Sequence, residues 1–315
     1  MNSDPLVRLA TRGSPLALWQ ANWVKSELER LHAGCRVELI KIKTSGDKIT
    51  DVPLAKIGGK GLFVKEIEEA LLEGRADLAV HSMKDVPVEI PRGLHMAVTT
   101  KREDPRDAFI SAAGIPFARL PKGAKIGTSS LRRGTQLRHK RPDLIIVPLR
   151  GNLDTRLRKL KSEKLDAVIV AAAGLHRMGW QEQVTEYLPL EISLPAIGQG
   201  ALGLECRIDD ARINALIKPL NDSDTAVCVA AERAFLTRLE GGCQVPIAGH
   251  AELNGLELRL RGLVASLDGT RLIADEARGP IGLAASIGKG LAERLLDHGA
   301  GKILKEIYLS STQEK

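Results

Sequence analysis

Aromatic side chains are scarce in this chain of 315 residues: two Tyr, four Phe and three Trp make up 3% of it. Proteins that bind single-stranded nucleic acid stack the bases on such rings, so the composition disfavours that class of partner. Long apolar runs are also missing, since the longest, residues 167–175, has nine residues and a bilayer-spanning helix needs roughly 20. The sequence opens with no recognisable export signal, and we therefore expect a cytoplasmic protein without a membrane segment.

Cysteines are few and far apart along the chain. Cys35, Cys206, Cys228 and Cys243 form no C-x-x-C pair and have no histidines at zinc-finger spacing, so neither a disulfide framework nor a metal site is expected. Cys35, Cys206 and Cys228 are expected to be small buried apolar side chains. Cys243 follows two glycines in E-G-G-C-Q-V-P, which leave its sulfur poorly covered, so it is a candidate nucleophile or attachment point.

Positive charge is concentrated in one segment. The whole chain carries a net charge of +7, yet residues 119–161 alone hold thirteen Lys and Arg against two Asp. Such a patch suits anions, and the scarcity of aromatic rings favours small polyanions over nucleic acid. Arg158, Lys159 and Lys161 lie close together on a polar helix and are expected to be solvated surface.

The hydrophobic pattern predicts a βαβαβ order of elements in the first part of the chain. A strand over residues 6–12 precedes a helix that Ser14 caps. A strand over residues 37–43, a helix ended by Gly74 and a short buried strand over residues 77–81 complete the unit.

The same order recurs downstream with little sequence identity. The predicted elements are a strand over residues 125–128, a helix from about Ser130, a strand over 144–149, a helix over 153–163 and a strand over 166–171. Two such units predict two parallel sheets with helices on their faces.

Polar residues follow the predicted strands in both units. Ligands of open α/β sheets bind beyond the carboxyl ends of the strands, so we infer a cleft between two domains, with cations supplied mainly by the second. The chain is expected to cross between these domains near residues 99–104 and 195–200. The strand-end residues are Arg12, Ser14 and residues 44–47, 82–85, 128–130 and 150–152.

The pattern changes after Thr225. A helix is followed by hairpins at Asn254-Gly255 and Asp268-Gly269 and then by a covering helix, which predicts a smaller α+β domain. Residues 309–315 are expected to be a frayed tail. The expected domains are residues 1–100 with 198–220, the arginine-rich residues 101–197, and residues 221–315.

The motif H-S-M-K-D, which ends in Asp85, directly follows a buried strand. A carboxylate at the carboxyl end of a strand lies where ligands bind, so Asp85 is a candidate catalytic group. The alternative is that Asp85 caps a turn or pairs with Lys84.

The motif I-G-T-S-S-L-R-R places three hydroxyls and then Arg132 and Arg133 at a strand-to-helix junction, where free backbone N–H groups favour anions. L-R-G-N-L-D-T-R adds Arg150 and Arg156 one strand later. The planar guanidinium group binds a carboxylate through two parallel hydrogen bonds, which lysine cannot do. Any one of these arginines could be plain surface, but four at two equivalent strand ends indicate a binding site.

A glycine-containing segment, residues 48–61, includes Lys56 and Lys60. Its composition predicts a loop without regular structure. The loop is either a flexible lid over a site or an ordinary exposed connection.

Taken together, these stretches resemble the porphobilinogen deaminase family, also called hydroxymethylbilane synthases. The matching motifs occur in family order over nearly the whole chain, and such a set is highly specific. They are T-R-G-S-P-L-A at Thr11, G-L-F-V-K-E-I-E at Gly61, A-V-H-S-M-K-D-V-P at Ala79, I-G-T-S-S-L-R-R at Ile126, L-R-G-N at Leu149, L-P-A-I-G-Q-G-A at Leu194 and A-E-R-A-F-L-T-R-L-E-G-G-C at Ala231.

The resemblance implies an α/β fold with two periplasmic-binding-protein-like α/β domains around a cleft and a smaller C-terminal α+β domain. It implies a monomeric cytoplasmic transferase that joins four porphobilinogen molecules head to tail, releases ammonia and yields hydroxymethylbilane for haem biosynthesis. It also implies a dipyrromethane cofactor, made from the substrate and held by a thioether bond to Cys243. Neither nucleic acid nor a membrane is an expected partner.

The resemblance further implies roles for individual residues. Porphobilinogen carries an acetate and a propionate, so the growing chain accumulates carboxylates that cations must neutralise. The cofactor-binding residues would be Cys243, Ser82, Lys84, Thr128, Ser130, Arg132, Arg133 and Arg150. The substrate-binding residues would be Arg12, Ser14, Arg150, Arg156, Arg177 and Gln199, and the lid or floor would contain Lys56, Lys60 and Phe63.

Asp85 would be the catalytic residue in this scheme. Loss of ammonia leaves a positively charged, azafulvenium-like pyrrole, and a second cation develops before the attacking carbon loses its proton. A carboxylate can hold pyrrole N–H groups, stabilise each cation and assist proton transfer.

Two other functions remain open on the residues alone. A non-catalytic sensor of small anions would use the same arginines but would have no use for Cys243 or Asp85. A nucleic-acid-binding protein would need a strong salt-dependent affinity for RNA, and the scarce aromatic residues disfavour it.

Overall fold

The structure, a computed structural model, describes residues 6–48, 64–240 and 245–313. These residues fall into two compact units. The first holds the described residues up to Glu103 and those from Ala201 to Ala226, and the second holds those from Asp104 to Gly200 and from Val227 onward. The unit boundaries at 103/104 and 200/201 lie at the segments where the chain was expected to cross. The division into three domains stays a prediction.

Thirteen strands are present within the described residues. They are β1 Leu6–Thr11, β2 Arg36–Lys41, β3 Leu78–Ser82, β4 Leu94–Thr99, β5 Asp107–Ser111, β6 Lys125–Gly127, β7 Ile145–Val147, β8 Ala167–Ala171, β9 Glu186–Tyr187, β10 Leu202–Arg207, β11 Ile247–Asn254, β12 Glu257–Ala265 and β13 Leu272–Pro280. The α-helices of the same residues are α1 Pro15–Leu31, α2 Ser45–Lys48, α3 Lys65–Leu72, α4 Leu131–Lys140, α5 Leu153–Ser162, α6 Ala172–Met178, α7 Ala211–Ile217, α8 Ser223–Arg238, α9 Ala284–Leu295 and α10 Gly301–Gln313.

The first unit is built on a five-stranded sheet in the order β2-β1-β3-β10-β4. β1 pairs in parallel with β2 and β3, whereas β10 is antiparallel to β3 and β4. α1 covers one face with Val24 and Leu28, and α3 covers the other with Ile67 and Leu71. The predicted βαβαβ order is therefore confirmed here.

The second unit contains a sheet of the same design, ordered β7-β6-β8-β5-β9, with β7, β6 and β8 parallel and β5 antiparallel to β8. It also contains the three-stranded antiparallel sheet β11-β12-β13, which the two hairpin signals predicted. α8 and α9 pack on this sheet through Phe235, Leu291 and Leu295. A Cβ atom at Gly288 would lie 2.2 Å from the carbonyl oxygen of Ala231, so only glycine permits this approach of the two helices.

Two predictions about the fold are wrong. The α/β sheets are mixed rather than parallel. β10 is antiparallel to β3 in the first sheet and β5 is antiparallel to β8 in the second, and the chain reaches each of these two strands after it has passed through the other unit. The predicted frayed tail is also wrong up to Gln313, since the chain is helical to that residue and forms the end of α10. Leu304 and Ile307 anchor this helix by burying their side chains in the core of the antiparallel sheet. Within the described residues, no helix combines the length and the apolar character that crossing a bilayer requires.

Candidate functional site

The first unit contains a solvent-open pocket at the carboxyl ends of β1 and β3. β1 ends at Thr11 and is followed by Arg12, and β3 ends at Ser82 and is followed by a single 3-10 turn. Because the two strands are parallel neighbours, their carboxyl ends open at the same edge of the sheet. The pocket is lined by Arg12, Ser14, Leu16, Ala17, Gln20, Val64, Ile67, Val80, His81, Ser82 and Asp85.

Two hydroxyl groups of this pocket are held by local structure. Ser14 caps α1, where its Oγ accepts a hydrogen bond from the Ala17 N–H at 3.3 Å. Ser82 Oγ accepts a hydrogen bond from Gln20 Nε2 at 3.0 Å, which ties the end of β3 to α1. The prediction that Ser14 caps a helix is confirmed.

Asp85 closes the 3-10 turn Met83–Asp85 and is half-buried in the pocket wall. Among the described residues, no hydrogen bond or ion pair engages its carboxylate. The alternative, that Asp85 caps a turn or pairs with Lys84, is not supported by any contact among these residues. The carboxylate faces the pocket with its hydrogen-bonding capacity open to a ligand.

The second unit buries two arginines of α4 against one carboxylate. Arg132 donates from Nη1 to Asp107 Oδ2 at 2.8 Å and from Nη2 to Oδ1 at 3.1 Å, and Arg133 donates from Nε to Oδ1 at 2.9 Å. The three residues are 5%, 4% and 0% exposed in the order Arg132, Arg133 and Asp107. Two guanidinium groups facing one carboxylate leave the cluster with a net positive charge.

The surroundings of Asp107 explain how a charged group persists in the interior. Burial by itself would raise the pKa of the Asp107 carboxyl, but Arg132 and Arg133 hold that pKa far below its usual range. Burial lowers the pKa of the Arg132 guanidinium, which Asp107 opposes. Gln199 Nε2 and Ser193 Oγ add hydrogen bonds to Asp107 at 2.9 and 2.7 Å.

Hydroxyl groups follow β6 at the start of α4. Thr128 Oγ1 accepts a hydrogen bond from the Ser130 N–H at 3.2 Å, and Ser130 Oγ accepts one from the Arg133 N–H at 3.4 Å, which caps α4. Arg150 follows β7, one strand away in the same parallel group. Its Nη1 atom is buried and has no hydrogen-bond partner among the described residues.

Two further predicted site residues bind protein carbonyl groups, and four lie outside the described residues. Arg156 donates from Nε to the Gly151 carbonyl at 2.8 Å, and Arg177 donates from Nη2 to the Gly200 carbonyl at 2.6 Å. Arg158 forms a surface pair with Asp154 and its side chain is 76% exposed, as predicted. The predicted residues outside the described part of the chain are Lys56, Lys60, Phe63 and Cys243.

The structure thus assembles two groups of predicted residues. Arg12, Ser14, Ser82 and Asp85 share the pocket of the first unit. Arg132, Arg133 and Gln199 meet at Asp107 in the second unit. In the described part of the chain, no group of His, Cys, Asp or Glu side chains has the arrangement of a metal site. The ligands assigned to these residues by the family resemblance stay predictions.

Two residues that help to build the candidate site were not predicted from the sequence. Asp107 opens a short apolar strand, and its charge gave no hint that two arginines would bury against it. Gln20 is polar yet 3% exposed, and its position three residues after Ala17, on the apolar stripe of α1, was an available signal.

Comparison with known proteins agrees with these motifs. Residues 7–215 match the family described as "Porphobilinogen deaminase, dipyromethane cofactor binding domain", and residues 226–297 match "Porphobilinogen deaminase, C-terminal domain". The chain is similar to the porphobilinogen deaminase of Geobacter sulfurreducens, with 62% identity over 302 residues, or 96% of this chain and 95% of the relative. It is also similar to that of Syntrophotalea carbinolica, with 57% identity over 310 residues and 98% of both chains.

Similarity to solved structures is weak by comparison. The methionine-binding protein MetQ superposes with a TM-score of 0.44 and 12% identity, covering 72% of this chain and 94% of that chain. A TRAP periplasmic solute binding protein from Desulfovibrio salexigens superposes with a TM-score of 0.42 and 12% identity, covering 69% of this chain and 72% of that chain.

Proposed function

The chain belongs to the porphobilinogen deaminase family, and we propose that it joins four porphobilinogen molecules head to tail, with loss of ammonia, to give hydroxymethylbilane on a dipyrromethane primer. The observation that carries this function is the pocket that Arg12, Ser14 and Ser82 line together with Asp85, whose carboxylate has no hydrogen bond or ion pair with another described residue. The same motifs appear in the chain in family order. The activity is that of a transferase of porphyrin biosynthesis.

The second unit has donors that fit a primer with carboxylate arms. Arg150 Nη1 is a buried donor atom without a partner in the described residues, and a buried N–H that lacks an acceptor is costly unless a ligand supplies one. Thr128 and Ser130 add hydroxyl groups at the start of α4, where the helix dipole favours anions. When bound, the primer supplies the free pyrrole α-carbon to which the next unit is joined.

Arg132 and Arg133 serve this site through their excess charge. Asp107 neutralises one of the two guanidinium charges, so about one positive charge remains to attract carboxylates near the start of α4. Because Asp107 also fixes both side chains with short hydrogen bonds, the charge is preorganised. Lys84 and Ser82 in the first unit would complete the set that holds the primer.

Asp85 would carry the chemical step. Its carboxylate accepts pyrrole N–H hydrogen bonds, stabilises the cation that forms on porphobilinogen when ammonia leaves, and assists removal of the α-carbon proton. At ~4 Å and an effective dielectric of ~20, one carboxylate stabilises a cation by about 4 kcal/mol, which corresponds to roughly a thousandfold in rate. The arginines and lysines of the site bind carboxylate groups that carry the same charge in the substrate and in the transition state, so these cations contribute less to the chemical step.

Substrate carboxylates would be held by a second set of cations and amides. Arg12 and Ser14 lie in the Asp85 pocket of the first unit. Arg150, Arg156, Arg177 and Gln199 belong to the second unit, and Lys56, Lys60 and Phe63 would form the lid. Supporting this division, Gln199 is fixed by hydrogen bonds to Asp107 and to the Pro105 carbonyl, which preorganises its amide.

The finer features of the proposal follow from the family. The primer would be attached through a thioether to Cys243, which anchors intermediates without acting as a turnover nucleophile. The protein would be a cytoplasmic monomer with no nucleic-acid partner.

Turnover of porphobilinogen tests the proposal directly. Purified protein is incubated with porphobilinogen, and both its loss and the release of ammonia are followed. We expect one ammonia for each porphobilinogen consumed and a linear tetrapyrrole as product. A protein that binds porphobilinogen without consuming it would instead be the small-anion sensor.

A further inference from the structure

The wall of the Asp85 pocket contains a histidine that a buried glutamate holds from behind. His81 Nε2 lies 2.9 Å from Glu205 Oε2, and the two side chains are 4% and 2% exposed. β3 and β10 are antiparallel neighbours in which Gly203 is opposite His81, so Glu205 lies two residues along the same face. The ring of His81 is thereby fixed between the pocket and the glutamate.

A second carboxylate is buried on this face of the sheet. Glu68 lies on α3, which packs against β1, β3, β4 and β10, and it is 9% exposed. Burial, together with the charge of Glu205 and against the opposing effect of His81, raises the pKa of Glu68 to about 7. The Oε1 atom of Glu205 is also buried and has no hydrogen-bond partner among the described residues.

We propose that Glu205 fixes His81 as a positioning pair in the wall of the pocket that Asp85 also lines, and that Glu68, buried on the same face of the sheet, adds a negative charge to this wall. The inference rests on the proposed function, because it concerns the cation that forms beside Asp85. A buried negative charge near that cation stabilises the transition state more than the substrate.

The other charged groups around the cluster are already engaged or lie at its edges. Arg8 and Arg207 both pair with Asp77 on the same face of the sheet, at 2.7 and 3.4 Å. From α3, Glu66 accepts hydrogen bonds from Ser45, and Glu69 pairs with Lys65 at the surface. The strand ends contribute Arg12, Lys84 and Asp85. Glu68 is therefore a titratable group of the buried wall in addition to the His81–Glu205 pair, and replacing Glu68 alone separates its contribution from that of the pair.

The pH profile of turnover tests the role of Glu68. In the wild type, kcat should rise about tenfold between pH 6 and 8, because one more buried negative charge stabilises the developing cation. Glu68→Gln should remove that rise while it stays active, with KM changed less than kcat. Glu69→Gln, which alters the exposed neighbour and removes the smallest of the effects on Glu68, should keep the rise in kcat. A rise that persists in Glu68→Gln, or that is missing from the wild type, would overturn the role.

Thermal unfolding gives a readout that does not depend on turnover. The pKa of Glu68 is higher in the folded protein than its ordinary value near 4.5, so the folded state holds more protons and the wild type loses stability as pH rises from about 4.5 through 7. The Tm of Glu68→Gln minus the Tm of the wild type should therefore be about 3 °C larger at pH 8 than at pH 5. A Tm difference independent of pH would contradict the buried titration of Glu68.

Substitutions of Glu205 separate positioning from folding. Glu205→Gln keeps an acceptor for His81 and should retain much of the wild-type kcat, whereas Glu205→Leu should lower kcat about tenfold or more with a smaller change in KM. Equal kcat for both folded variants would contradict the positioning pair. A wild type that consumes no porphobilinogen would refute the proposed function instead, while the Tm measurement still reports on Glu68.

Discussion

Asp107 and Arg132 form a fully buried ion pair in which Arg132 Nη1 lies 2.8 Å from Asp107 Oδ2, and Arg133 shares the same carboxylate. Asp107→Asn would leave two buried guanidinium groups without an anion. We expect a loss of about 3–5 kcal/mol in the free energy of unfolding, measured by urea denaturation. Asp154→Asn is the matched control, since Asp154 and its partner Arg158 have side chains 38% and 76% exposed, and it should cost about 1 kcal/mol or less. Equal losses in both variants would contradict the importance of the buried pair.

The same pair predicts a dependence of stability on acid pH. The pKa of Asp107 is lower in the folded protein than its ordinary value of 3.8, so its contribution is complete above about pH 4 and disappears as pH falls through the folded-state value. The stability difference between wild type and Asp107→Asn should therefore be constant from pH 7 to about pH 5 and should shrink below pH 4. Urea titrations at a series of pH values measure it, and a difference that grows on acidification would be inconsistent with the lowered pKa.

The turn between β12 and β13 docks on the helix that carries the buried arginines. Gly269 has φ of +78°, and a Cβ atom there would lie 2.7 Å from the Thr135 carbonyl oxygen and 3.0 Å from Arg138 Cβ. Gly269→Ala should thus lower the free energy of unfolding by about 2–3 kcal/mol, through backbone strain and displacement of α4. Gly255→Ala has a similar φ of +61° but open space, so it should cost only about 1 kcal/mol. Similar losses in both would show that the docking contact contributes little.

Attachment of the primer gives a prediction about mass. Cys243→Ala should fold with a Tm close to that of a wild type stripped of pyrroles, yet carry no covalent adduct, because the sulfur that forms the thioether is gone. Intact mass spectrometry of wild type and variant measures this, and the wild type should exceed its polypeptide mass by one dipyrrole. Cys228→Ala, at a buried cysteine, is the control and should keep the adduct. An adduct that survives in Cys243→Ala would place the attachment elsewhere.

Local patterns predicted the elements that position the site better than they predicted its long-range pairs. Ser14 was predicted to cap a helix and a second helix was predicted to begin at about Ser130, and both serines accept a backbone hydrogen bond at the start of their helix. The antiparallel strand β10 was missed as a sheet partner of β3, because strand direction depends on a chain crossing that local periodicity does not encode. The role of Asp107 was missed because its partners Arg132 and Arg133 lie more than 20 residues away in sequence, and local patterns do not show contacts over that separation.

Turnover by Asp85→Asn tests the central claim most directly. The substitution keeps the size of the side chain but removes its charge, so the variant should fold and carry the dipyrrole mass while kcat for porphobilinogen consumption falls by about a hundredfold or more. Asp209→Asn, at an exposed position, should turn over like the wild type. A primer-loaded Asp85→Asn with near-normal kcat would contradict the assignment of the chemical step to this carboxylate.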